Sequence, residues 1–160
     1  MSNDSQREFL RHAVATLAYR GGKTLRNAPE AFESFRVGDT SRTPVEVLAH
    51  IGDLLDWALW LAKGKHNWHN ATPLPWDQEV KRFFDALEKF DDYLASDLPL
   101  GSPPEKLFQG PIADALGHVG QVAMMPRLAG SPVKGENYFK ADIAQGRVGA
   151  EQSHPRVEFD

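Results

Sequence analysis

Four stretches of this chain carry apolar residues at helical spacing. Phe9, Leu10, Ala13, Val14, Leu17 and Ala18 build one face and predict a first helix over 5–20. Gly21-Gly22 is expected to end it, because glycine is costly inside a helix and favoured just past one. The second helix has the clearest start. Thr43-Pro44-Val45-Glu46 places Thr at the N-cap, Pro at N1 and Glu at N3, the pattern of a capping box. Val47, Leu48, Ile51, Leu55, Ala58, Leu59 and Ala62 form its stripe, and Gly64 stops it. A third helix over 76–96 follows from Val80, Phe83, Phe84, Leu87, Phe90 and Leu94, with a charged and solvated opposite face.

The fourth stretch, 112–126, is unlike the others. It is apolar or glycine throughout except for Asp114, His118 and Gln121. That predicts a helix buried nearly all round. At ~100° per residue the three polar side chains fall within an arc of roughly 60°. Ala113, Gly117 and Gly120 share another side, roughly 100° away. Small residues there predict close packing of a second helix, within the chain or across a dimer. Pro126 predicts a kink or an early stop. Beyond Gly130 the chain turns polar and Gly-rich. It reads as a tail over 131–160 wrapped on the helices, with Tyr138, Phe139 and Ile143 as anchors. The expected fold is all-α: one four-helix-bundle domain over 1–160, with its core at about 5–130 and a mostly irregular C-terminal tail.

Composition narrows the function classes. The 160 residues are 41% hydrophobic and include four Trp and nine Phe, enough for one sizeable core. The net charge of −4, with no long basic run, argues against a nucleic-acid groove. There is no cysteine, so thiolate metal sites and a cysteine nucleophile are excluded, and any thiol must come from outside. The start of the chain lacks the pattern of a signal peptide. The most apolar run, 54–62, is too short to span a membrane and contains Asp56. A soluble, cytoplasmic protein is the expectation.

The chemistry concentrates on one point. His50 flanks the apolar stripe of the second helix, in line with Leu54, Trp57 and Leu61. In a bundle it can face Asp114 and His118, which lie one turn apart, about 6 Å along the axis. Two imidazoles and a carboxylate converging from two helices suit a divalent metal with an open position. Zinc, nickel and iron accept the same set, so the ion is not readable. Gln121 and Asp53 are candidates to orient a ligand from behind. Plainer readings stand beside this one. Asp114 in a first turn complements the helix dipole, and the cluster can be a buried hydrogen-bond network. His66 and His69, flanking Trp68, read as a surface loop, and His12 and His154 receive no role.

The His of VEVLAHIGDLLDWAL and the block DALGHVGQVAMMPRLAG, on a four-helix layout, resemble the DinB-like family of metalloenzymes over most of the chain up to Gly130. The resemblance implies a bundle with two long connections and a divalent metal held by His50, His118 and the position four before it. That position is often His in the family and is Asp114 here; a branch similar to mycothiol-dependent maleylpyruvate isomerase carries Glu. Characterised relatives transfer low-molecular-weight thiols. The implied function is a metal-dependent thiol transferase, or a small-molecule hydrolase or isomerase, with a small-molecule substrate and a homodimeric state. Two alternatives are a non-catalytic dimeric metal-binding or stress protein, and oxygen chemistry at iron(II).

Overall fold

The structure, a computed structural model, describes residues 3–159. Four long helices surround one core: α1 (Asn3–Leu25), α2 (Pro44–Ala62), α3 (Trp76–Ala95) and α5 (Ala113–Leu128). A one-turn helix α4 (Pro104–Leu107) and a π-helical turn (Phe108–Ile112) lead directly into α5. α1 packs on α3 and α5, and α2 packs on the same two, so α1 and α2 sit diagonally across the core. The connection between them is long and holds only a 3₁₀ turn, Phe32–Ser34. No helix among the described residues is long and apolar enough to cross a membrane.

The core follows the apolar periodicity. Leu10, Leu17, Ile51, Leu55, Phe83, Leu87, Phe90 and Ile112 are all but fully buried. Each such side chain contributes about 1.5–3 kcal/mol relative to an exposed one. α2 starts as expected. Thr43 caps Glu46 N–H, the Glu46 carboxylate accepts from Thr43 N–H, and Pro44 occupies the first turn. Gly64 ends it at φ +76°, a left-handed conformation that favours glycine. α3 ends where Arg7 reaches across from α1. Its guanidinium donates to the carbonyls of Leu94 and Ser96, at 3.2 and 3.0 Å, and also to that of Leu98. A cation there satisfies terminal carbonyls and complements the dipole.

Four expectations are corrected. α1 does not end at Gly21-Gly22 but runs on to Leu25. A Cβ on Gly21 would lie 2.5 Å from the Phe83 ring, so glycine serves here as a seat for an aromatic rather than as a stop. Phe9 is not core: it is 57% exposed and pairs with Phe108 on the outside. α5 is not buried all round. Asp114, Gly117, Gly120, Gln121 and Met124 are exposed, and only the opposite face, with Ala115, Val119, Val122 and Met125, enters the core. Among the described residues no helix packs on its Gly117–Gly120 side, where an added Cβ would meet open space. The end of this helix is as expected: Pro126 lies within α5, which continues to Leu128, with Ala129 as C-cap and Gly130 beyond it.

The tail does wrap over the helices: of the expected anchors Tyr138 packs on Tyr19 and Arg20 and Ile143 on the core, whereas Phe139 does not, and further anchors join them. Phe139 is 96% exposed, whereas Glu136 and Val148 are buried. Glu136 and Glu158, from two short strands paired antiparallel (β1, Gly135–Glu136; β2, Glu158–Phe159), converge on α1. Lys23 Nζ donates to Glu136 at 2.7 Å and to Glu158 at 2.9 Å, and the Tyr19 hydroxyl donates to Glu136 at 2.6 Å. Burial, and then the Glu136 carboxylate, push the Tyr19 hydroxyl pKa up.

Candidate metal centre

α2 and α5 pack against one another, which brings His50 opposite His118. The two imidazoles stand perpendicular, with ring centres 4.7 Å apart. One helical turn back from His118, the Asp114 carboxylate Oδ1 lies 3.3 Å from His118 Nε2. One ligand atom from each of His50, Asp114 and His118 can be chosen so that all three lie within 4.8 Å of one another. Ligands of a four-coordinate zinc stand about 3.4 Å apart at bond lengths of about 2.0–2.1 Å. The Asp114–His118 separation already meets that spacing, despite the short aspartate side chain.

The surroundings disfavour a charged His50 and orient His118. Burial lowers the proton affinity of His50, and the charge of the Arg42 guanidinium and the neighbouring His118 lower it further. His118 Nδ1 lies 2.9 Å from Gln121 Oε1. An amide oxygen only accepts, so Nδ1 donates in this contact, and Nε2 faces the Asp114 carboxylate. Asp114 is the outermost member, its side chain 56% exposed, so the cluster is open to solvent on that side. The group can hold a divalent metal ion.

Asp53, the other residue expected behind the site, is engaged elsewhere. Its Oδ1 accepts from Arg82 at 2.6 Å and its Oδ2 from Ala71 N–H at 3.2 Å. It thus fastens the 65–75 loop to α2. That loop supplies a residue that sequence reasoning missed. Trp68 packs edge-on against His50 at 5.8 Å and against Trp57 at 5.6 Å, covering the outer side of the His50 ring. Its proximity rests on the path of an irregular loop, for which periodicity carries no signal. His66 lies tilted against Trp57 instead, and Tyr138 packs on Tyr19 and Arg20 of α1.

A cleft of about 750 Å³ opens beside His118. Gly117, Gly120, Gln121, Met124 and Leu128 of α5 form one wall, and Val37, Ser41, Arg42 and Val47 the other. The small residues of α5 therefore make room next to the candidate ligands. The volume lies within the range of small-molecule sites, about 300–1,000 Å³. Compared with family models, with curated proteins and with solved structures, the chain has no significant match.

Proposed function

We propose that this protein is a divalent-metal-dependent enzyme of the DinB-like type acting on a small molecule. The observation that carries this reading is the convergence of His50, Asp114 and His118 within 4.8 Å at the edge of an open cleft. His50 and His118 would supply imidazole nitrogens, Asp114 a carboxylate oxygen, and Gln121 the contact that orients the His118 ring. A divalent ion bound there lowers the pKa of a coordinated water or thiol, making a hydroxide-like or thiolate nucleophile accessible near neutral pH. The chain has no cysteine of its own, which suits a thiol brought as co-substrate. Transfer of a low-molecular-weight thiol is therefore the leading reaction class, ahead of hydrolysis or isomerisation. Zinc, nickel and iron(II) all suit the donor set.

The test is metal content. The protein, stripped with chelator and reloaded, takes up one equivalent of zinc or nickel, and His118→Ala loses it while keeping its helical content. Absence of metal from the wild-type protein after reloading would sink the reading. Screening the loaded protein with thiol co-substrates and electrophilic acceptors then separates transfer from hydrolysis.

A further inference from the structure

We infer that the cleft beside His118 takes a substrate with an apolar body and an anionic end, and that Arg42 receives that end. This deepens the proposed function and rests on it: the cleft is taken as the place where substrate meets the metal.

Three observations converge on Arg42. First, it lines the cleft together with His118 and Gln121, so a molecule lying in the cleft touches both the candidate centre and this residue. Second, its guanidinium is uncommitted: among the described residues its side chain forms no ion pair or hydrogen bond. The other arginines of this region are occupied. Arg36 donates to Ser41 O at 2.7 Å and Arg127 to Val133 O at 2.8 Å. Glu46, the acidic residue one turn into α2, is held in the capping box by Thr43 N–H. Third, the backbone that carries Arg42 is braced. Ser41 Oγ both accepts from Gly38 N–H at 2.9 Å and donates to Gly38 O at 2.8 Å, and Thr43 is locked as the N-cap of α2. Arg42 thus projects from between two fixed points.

Apart from Ser41, His118 and Gln121, the rest of the cleft lining is apolar or glycine. Val37, Val47, Met124, Met125 and Leu128 surround the opening, and Met124 and Leu128 are more than half exposed at 56% and 55%. A guanidinium presents a planar fork of donors that matches a carboxylate in two-point contact. An apolar wall ending in one unpaired guanidinium and a metal-ligand cluster therefore selects for a carboxylate, or a group of like geometry, on an aliphatic or aromatic body. Methionine side chains adapt to varied apolar shapes, so the body is less closely specified than the anionic end.

The probes are hexanoate and hexanamide, matched in shape and differing in charge, titrated by NMR into zinc-loaded and metal-free protein. Wild type is expected to bind hexanoate about tenfold more tightly than hexanamide in both states. Arg42→Gln brings that ratio to about one, and Arg42→Lys retains part of it, with one equivalent of zinc still taken up by both variants. If the preference survives Arg42→Gln, or if neither probe binds, the inference is overturned. A preference found only with zinc and untouched by Arg42→Gln would mean that the carboxylate goes to the metal, which overturns the role of Arg42 and leaves the metal centre standing. Absence of zinc uptake by wild type is a separate result, and it overturns the metal reading together with the substrate role built on it.

Discussion

The Nδ1 atom of His118 lies 2.9 Å from the side-chain oxygen of Gln121, three residues on along the same helix face. This contact turns a flexible imidazole into an oriented one, with its other nitrogen facing Asp114. Partners of this kind, standing behind a ligand, are typically worth 10–100-fold in metal affinity. Gln121→Leu is accordingly expected to weaken zinc binding by about that factor in competition with a chromogenic chelator. Thermal stability of the metal-free protein should barely move, because Gln121 is exposed. An unchanged affinity would show that the ring needs no such support.

Two glycine sites should respond in opposite directions. Gly21→Ala forces a Cβ against the fully buried Phe83 ring, and overpacking of this kind costs about 1–3 kcal/mol. Phe83→Leu should relieve part of that cost in the double variant. Gly120→Ala meets open space within α5 and should stabilise by about 0.5–1 kcal/mol through helix propensity, while narrowing the cleft. Urea midpoints measure both. A neutral Gly21→Ala would refute the seating of Phe83.

The buried Lys23–Glu136 pair fastens the tail to α1, with side-chain exposures of 7% and 0%. Removing one partner leaves the other charge buried, which costs about 3–5 kcal/mol. Lys23→Met should lower stability by that order in denaturant unfolding, and the double variant Lys23→Met/Glu136→Leu should recover part of it. A loss under about 1 kcal/mol in the single variant would mean that the tail relaxes to hydrate Glu136.

The same tail should loosen in acid. The Ser153 hydroxyl, and then the charge of Arg147, hold the Asp142 carboxyl below the usual range, and the Lys23 ammonium does the same for Glu158. A carboxylate whose folded pKa is depressed contributes stability that is full above its ordinary value, about 4, and is lost as pH falls through the depressed value. Amide exchange across 135–159 should therefore speed up below about pH 4, relative to the core of α2 and α3. Glu158→Gln should flatten part of that dependence. A tail as protected at pH 3 as at pH 6 would contradict the assignment.

What could be read ahead of the structure, and what could not, has a physical basis. α2 was legible because its signals are local: a Thr-Pro-x-Glu start, an apolar stripe and a glycine stop lie within one stretch of chain. The spacing of Asp114 and His118 on one face was legible because it is local to one helix, whereas their meeting with His50 depends on α2 and α5 being neighbours, which the structure supplies. The role of Gly21 was not, since the Phe83 ring that needs its missing Cβ lies 62 positions away. The exposure of α5 is hidden from the sequence for a related reason. An apolar helix with glycines can border a cleft as well as a core, and only the placement of the 36–42 segment decides which. The hold of Arg82 on Asp53 is not legible either, since Arg82 belongs to α3 and reaches Asp53 across a gap that Gly52 leaves open.

The packing of Trp68 on His50, and of Trp57 on Trp68, has a spectroscopic consequence. Indole emission is quenched by a neighbouring imidazolium, and by nickel or iron, far more than by zinc. Two of the four tryptophans sit in this stack, while Trp60 lies against Lys63 and Lys65, and Trp76 against Phe32. The candidate centre thus carries its own fluorophore. Occupancy, and the class of ion that occupies it, can be followed by light in the unlabelled protein.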